Sequence, residues 1–130
     1  MALKKLFRFL PPILWMLLMF FVSSRSDLPS NQVYAVDFIQ KKASHVAEYF
    51  ILTVLWTRAL KRPMPDMAII FALIYAFTDE THQLFVPNRT GAIRDVGIDF
   101  LGISAAALIM IKINSWKKHL SPLRIKKLKK

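Results

Sequence analysis

Apolar residues fall into four runs separated by short polar stretches, at roughly positions 6–24, 43–60, 65–77 and 96–113. Their spacing has a helical period, and backbone groups in lipid must bond within their own segment, so each run predicts a helix. Each run is near the short end of the roughly 17–25 residues that cross a bilayer. The third run reaches that length only if its helix continues through 78–84.

Prolines mark the boundaries of these segments. Pro11 and Pro12 lie where the first helix is entered, a position that tolerates proline. Pro63 and Pro65 break the chain between the second and third segments, and Pro87 marks a turn after the third. The start of the first segment resembles a secretory signal peptide, but no Ala-x-Ala-like cleavage site follows it.

Composition indicates one integral membrane domain. The chain has 130 residues, 55% of them hydrophobic, and a mean hydropathy of +0.37. The lack of cysteine excludes disulfides, zinc–thiolate sites, iron–sulfur clusters and cysteine nucleophiles. With only three glycines, no glycine-rich phosphate loop can form. We predict a membrane domain at 1–113 and a basic cytoplasmic tail at 114–130.

The distribution of positive charge predicts the topology. Most of the 19 lysines and arginines lie in the N-terminus, the loop after the second segment and the tail. The positive-inside rule then places both termini in the cytoplasm. The predicted fold is an all-α, polytopic bundle of four transmembrane helices. Its tail is expected to contact anionic membrane lipids rather than nucleic acid.

Polar residues gather at the outer ends of the predicted helices. Ionisable groups beside hydrocarbon are costly, so a chain that keeps several usually uses them. The topology places the whole set at one depth, where its members can converge on an outward-facing site. The set is His45, Glu48, Tyr49, Asp79, Glu80, His82, Gln83, Arg89, Arg94, Asp95 and Asp99.

Helical spacing assigns these residues to shared faces. His45, Glu48 and Tyr49 lie on one face, and Asp79, His82 and Gln83 on another. In the fourth segment, the small residues of Gly102-x-x-x-Ala106 permit close approach of a neighbouring helix. We therefore expect Asp99, on that same face, to point into the bundle.

Each of these groups has more than one interpretation. Asp99 is either a catalytic, proton-handling or metal-binding carboxylate, or one half of a structural ion pair with Arg89 or Arg94. His45 and Glu48 could instead hold two helices together, and His82 could be solvated. The arginines suit an anionic head group or diphosphate, with interfacial snorkelling as the alternative.

Metal and hydrolase motifs are weak in this chain. Two histidines and several carboxylates supply ligand types, but His45-x-x-Glu48 lacks the spacing of a zinc protease. No metal ligand is assigned from the sequence, and the cofactor is left open. Ser44 adjoins His45 without a nucleophile elbow, which disfavours a Ser-His-Asp hydrolase.

Two segments carry a resemblance to a known family. They are 42–52, KASHVAEYFIL, and 75–102, YAFTDETHQLFVPNRTGAIRDVGIDFLG, and the opening PPILWMLLMFFVSSRS adds to them. The ordered pattern D-E-x-H-Q-x-F-x-P-x-R-x-G followed by R-D-V-x-x-D-x-x-G resembles the VanZ-like family of bacterial membrane proteins. Asn88 departs from the glycine that often follows the proline there. The resemblance implies a multi-helix envelope protein, in a family named for a link to teicoplanin resistance.

The leading functional hypothesis is a protein of the bacterial plasma membrane that binds, or binds and modifies, an anionic lipid-linked or phosphate-bearing envelope component. Arg89 and Arg94 would engage the anion. The candidate catalytic residues are His45, Glu48, Asp79, Glu80, His82, Asp95 and Asp99, with Tyr49 and Gln83 in support. The alternatives are a non-enzymatic envelope interaction protein and a small transporter or flippase, the latter disfavoured because no inverted repeat is visible.

Overall fold

The computed structural model describes residues 6–26, 33–61, 64–89 and 91–128, with side chains as far as residue 116. Within those ranges the chain is helical and contains no strand. The four helices are α1 (Leu10–Ser23), α2 (Tyr34–Leu60), α3 (Asp66–Gln83) and α4 (Ile93–Leu128). The prediction of an all-α chain with four helices is confirmed.

Two helices are longer than the apolar pattern predicted. α2 begins at Tyr34 rather than near position 43, because its first turns take in the stretch 34–42, YAVDFIQKK, which mixes apolar and charged residues. Asp37 lies in that first turn, where a negative charge stabilises a helix, and it forms a 2.6 Å ion pair with Lys41 one turn later. α4 continues to Leu128, well beyond the predicted end at 113.

The structure confirms the predictions for the prolines of the first helix, the continuation of α3 and the turn at Pro87, whereas Pro63 lies outside the described residues. Proline occupies the first turn of α1, as predicted, and α3 does continue to Gln83. Asn88, after Pro87, adopts a left-handed conformation with φ of 62°. Asparagine tolerates this conformation better than most residues, so the departure from glycine leaves the turn intact.

The closest packing joins α2 and α4. A Cβ atom added at Gly102 would overlap the carbonyl oxygen of Val46, so the two backbones touch. Ala106 is fully buried on the same stripe, and Ile103 beside it belongs to the core. The predicted small-residue contact is therefore confirmed. It brings the polar N-terminal part of α4 against the middle of α2.

α1 is fastened to two neighbours by hydrogen bonds from aromatic side chains. Trp15 donates from Nε1 to the carbonyl oxygen of Glu48 on α2, at 3.1 Å. Tyr75 on α3 donates from its hydroxyl to the carbonyl oxygen of Met16, at 2.6 Å. Both bonds lie where helices contact each other, and they fix the position of α1 along the axis of the bundle.

Among the described helices, one segment is long and apolar enough to cross a membrane. It covers Ile93–Trp116, 24 residues with a hydropathy of 2.0. Leu10–Ser23 is also apolar but shorter, at 14 residues. Large apolar side chains are nevertheless exposed on other helices, for example Leu17 at 59% and Ile74 at 59%.

Candidate functional site

The polar residues of the set predicted from the sequence lie at one end of the bundle. Together they form what we call the polar cluster. α1 and α3 end there, α4 begins there, and the first half of α2 passes beside them. This arrangement follows from the alternating direction of consecutive helices. It places the last turn of α3 opposite the first turns of α4.

The deepest contact joins His45 on α2 to Asp99 on α4. His45 Nδ1 lies 3.0 Å from Asp99 Oδ1, and Asp99 is fully buried. The second carboxylate oxygen of Asp99 is also buried and has no hydrogen-bond partner among the described residues. The ion pair of Asp99 with Arg89 or Arg94, one of the sequence alternatives, is not the one formed.

Glu80 holds the loop between α3 and α4. Its Oε2 accepts a 2.9 Å hydrogen bond from the backbone N–H of Ala92, and its buried Oε1 has no partner in the described structure. A Cβ atom at Gly91 would overlap the carbonyl oxygen of Glu80. Glycine is therefore required where this loop crosses the end of α3.

Asp79 has both carboxylate oxygens occupied by neutral donors. Ser23 on α1 donates to Oδ1 at 2.7 Å, and Gln83 donates from Nε2 to Oδ2 at 2.9 Å. All three residues are buried. This network joins α1 to α3, and its completeness indicates a structural contribution from Asp79.

His82 is half-buried and contacts the end of α1. Its ring lies 4.3 Å from the ring of Phe20, and its Nε2 is 2.9 Å from the hydroxyl of Ser24. The hydrogen bond to Ser24 is exposed, so the interpretation of His82 as a solvated residue stays a prediction. Its partners lie on α1, whereas those of His45 lie on α4, so the two imidazoles make separate contacts.

Two further ion pairs lie at the rim. Lys42 on α2 contacts Asp95 Oδ2 on α4 at 2.7 Å, and both side chains are mostly buried. Arg94 approaches the other oxygen of Asp95 only to 3.7 Å and is 74% exposed. Arg94 thus lies outside the buried cluster, on the surface beside it.

Arg89 points back to the end of α1. Its Nε and Nη2 donate to the carbonyl oxygens of Arg25 and Val22, at 3.2 and 3.3 Å. A cation at the C-terminus of a helix is favoured by the helix dipole. No carboxylate in the described part of the chain forms an ion pair with Arg89, so its direct partners are carbonyl groups.

Two adjoining cavities open beside these residues. The larger, of about 320 Å³, lies between α1, α2 and α3, and the smaller, of about 160 Å³, lies toward Asp95 on α4. Four polar side chains line both cavities: Lys41, His45, Gln83 and Arg89. Glu48 lines the larger one, within electrostatic reach of His45, Asp79, Asp99 and Arg89.

Tyr49 lies beneath the cluster. It is fully buried, and its ring is 6.3 Å from the ring of Tyr75. Its hydroxyl has no hydrogen-bond partner among the described residues, although hydroxyl groups in a protein interior usually have one. Tyr49 therefore retains a donor and an acceptor within the polar end of the bundle.

Three contributors were missed from the sequence. Lys42 lies three residues before His45, so helical spacing could have placed it on the same face. Lys41 is adjacent to it, and both lysines precede the predicted start of the second segment at position 43. Ser23 carried no such signal, because its partner Asp79 is distant along the chain.

Comparison with known families gives one result. The family model of VanZ/LLP1 matches residues 2–114, which include all of the polar cluster. Comparisons with curated proteins and with solved structures gave no match. The match and the apolar helix at Ile93–Trp116 together support a membrane protein. The resemblance seen in the sequence is confirmed, and the chain belongs to the VanZ/LLP1 family.

Proposed function

We propose that this chain is a four-span protein of the bacterial plasma membrane that binds an anionic, phosphate-bearing or lipid-linked envelope component in the cavity beside Arg89. The observation that carries the proposal is the position of the Arg89 guanidinium group and its lack of an ion-pair partner among the described residues. Its guanidinium lines both cavities, and no carboxylate in the described structure forms an ion pair with it. Planar guanidinium groups suit phosphate and carboxylate oxygens.

Other groups around the cavity fit an anionic ligand. Lys41 lines both cavities, and its ion pair with Asp37 is partly exposed, so the ammonium can exchange partners. Gln83 lines both as well, although its amide already donates to Asp79. Arg94, exposed at the rim, would contact the head-group region of surrounding lipid.

The four-span topology is supported by the exposed apolar side chains. Leu17 on α1, Ile74 on α3 and Leu108 on α4 are each more than half exposed. Contiguous apolar surface of this kind needs a nonpolar environment. With both termini in the cytoplasm, as the charge distribution predicts, the cavity opens to the outer face.

If the bound component is chemically modified, His45 is the proposed acid–base group. It lines the cavity, and its bond to Asp99 fixes the orientation and tautomer of the imidazole. Glu48 lines the larger cavity, and its carboxylate has no hydrogen bond of its own among the described residues. Asp79, with both oxygens occupied, would hold the helices in place.

Native mass spectrometry of the detergent-purified protein tests the proposal. Wild type is compared with Arg89→Gln, and with Arg58→Gln as a matched control, since Arg58 is exposed on the last turn of α2 at the other end of the bundle. We expect a co-purifying anionic lipid or lipid-linked phosphate on wild type and on the control, lost in Arg89→Gln. A wild-type protein without any bound anion contradicts the proposal.

The second candidate is a non-enzymatic envelope interaction protein. It is favoured by the Ser23–Asp79–Gln83 network, which is complete without a ligand. Under this alternative, variants throughout the cluster lower the abundance of the protein in the membrane. No variant loses the phenotype while the protein stays folded and abundant. Susceptibility to glycopeptides such as teicoplanin, measured in a strain lacking the gene and complemented with each variant, provides the phenotype.

A further inference from the structure

Three potential metal ligands from three different helices converge at the bottom of the cluster. They are His45 on α2, Glu80 on α3 and Asp99 on α4, and one ligand atom from each lies within 4.8 Å of the other two. Glu80 and Asp99 are 5% and 0% exposed. Exposed acidic groups are common without a bound metal ion. Two buried acidic groups beside an imidazole, however, need a partner that offsets the cost of burying their charge.

Both carboxylates have an oxygen without any hydrogen bond in the described structure. One oxygen of Asp99 meets His45, and one oxygen of Glu80 accepts from Ala92. The remaining oxygens, Asp99 Oδ2 and Glu80 Oε1, are buried and unpartnered. Buried polar atoms without a partner are rare in native proteins, and a bound ion can supply the partner that such an oxygen lacks.

The neighbouring cations do not supply the missing partner. Lys42 pairs with Asp95, and Arg89 donates to carbonyl oxygens at the end of α1. Arg94 is directed to the surface. Two buried carboxyl groups thus lie close to a single imidazole, and their negative charge is costly there unless a proton or a further cation is bound.

We propose that His45, Glu80 and Asp99 bind one divalent transition-metal ion of the Zn²⁺ or Mn²⁺ class. An imidazole with two carboxylates is a mixed nitrogen and oxygen ligand set that suits these ions better than Ca²⁺ or Mg²⁺. Ligands about 2.1 Å from one ion lie roughly 3–3.5 Å apart. His45 Nδ1 and Asp99 Oδ1 already have that separation, and a rotation of the Glu80 side chain toward them would complete the set.

Three protein ligands leave a coordination position for a further group. His45 lines both cavities, which places that open position next to the space around Arg89. The ion would there accept a phosphate or carboxylate oxygen. This last step rests on the proposed function, whereas the ion site itself does not.

Metal titration of delipidated, metal-free protein tests the site. ZnCl₂ and MnCl₂ are titrated into wild type, Glu80→Gln and Asp99→Asn, and bound metal is measured by calorimetry and elemental analysis. Asp66→Asn serves as the carboxylate control, because Asp66 is exposed at the opposite end of α3. We expect one ion per chain, binding weaker by roughly tenfold or more in the two site variants, and no change in the control.

A spectroscopic measurement on wild type guards against variants that fail to fold. Electron spin echo modulation of bound Mn²⁺ should show a directly coordinated imidazole nitrogen, which His45→Gln removes and Asp66→Asn retains. Absence of saturable binding by wild type below about 1 mM overturns the inference, as does unchanged binding in folded Glu80→Gln and Asp99→Asn. Metal binding without a co-purifying anion would overturn the proposed function alone.

Discussion

Ser23, at the end of α1, donates a 2.7 Å hydrogen bond to Asp79, one turn before the end of α3. The bond joins two buried residues that are 56 positions apart in the chain. With the bond from Gln83, it satisfies both oxygens of the Asp79 carboxylate. The polar end of the bundle is therefore held together by a network that does not depend on any ligand.

Replacing Asp79 by alanine should lower the free energy of unfolding by roughly 1–3 kcal/mol, because the buried Gln83 amide loses its acceptor and Ser23 keeps only the 3.2 Å bond to the Phe20 carbonyl oxygen. Ser23→Ala should cost about 1 kcal/mol. Equilibrium unfolding in mixed detergent measures both. Thr78→Ala is the control, since Thr78 is exposed and bonds only within its own helix turn. Equal stability of Asp79→Ala and Thr78→Ala would show that the network contributes nothing.

A matched pair of glycine variants tests the contact between α2 and α4. Gly102→Ala should destabilise the protein by roughly 1–3 kcal/mol, since the added Cβ overlaps the Val46 carbonyl oxygen and drives the helices apart. Gly97→Ala, in the same helix, meets nothing within 4 Å and should stabilise by about 0.5–1 kcal/mol through helix propensity. Thermal melts in one detergent compare them. Similar melting temperatures would contradict the close approach.

The Lys42–Asp95 ion pair should couple α2 to α4. In a double-mutant cycle with Lys42→Met and Asp95→Asn, we expect a coupling energy of roughly 1 kcal/mol or more, because both groups are largely shielded from water. The more exposed Lys41–Asp37 pair within α2 should give only about 0.3–0.5 kcal/mol. A smaller coupling for Lys42–Asp95 than for the helix-surface pair would refute this ranking.

The topology can be tested directly because the chain has no cysteine. A single cysteine at Asn88, in the turn after α3, should react with a membrane-impermeant maleimide added to intact cells. A cysteine at Lys61, at the end of α2, should react only after the membrane is permeabilised. Labelling of position 61 in intact cells, or protection of position 88 from the reagent, would contradict the proposed orientation.

The apolar pattern predicted the number and order of the helices but not all of their ends. Hydropathy marks the part of a helix that lies in a nonpolar layer, whereas the first turns of α2 mix apolar residues with charged ones and contain the Asp37–Lys41 ion pair. The same reason explains why α4 extends past position 113. Helix length in this chain is set by polar turns as well as by apolar residues.

The membership of the polar cluster was largely predictable, whereas its pairing was not. The predicted topology put the outer ends of the helices at one depth, and so it put His45 and Asp99 in the same region. In the structure these two side chains contact each other. An ion pair with Arg89 or Arg94 was one of the two interpretations of Asp99, because opposite charge is the simplest guide to pairing in a sequence. The turn at 84–89 directs Arg89 toward α1, and Gly91 packs against the Glu80 carbonyl oxygen; no periodicity in the sequence reveals either contact.

The two hydrogen bonds of Arg89 to the end of α1 have a consequence for recognition. A guanidinium group has five N–H donors, so several remain when two are occupied. An arriving anion would therefore meet an arginine whose rotamer is already fixed by the fold, and little conformational entropy would be lost on contact. The carbonyl groups at the end of α1 thereby hold the Arg89 guanidinium group in an orientation that faces the cavity.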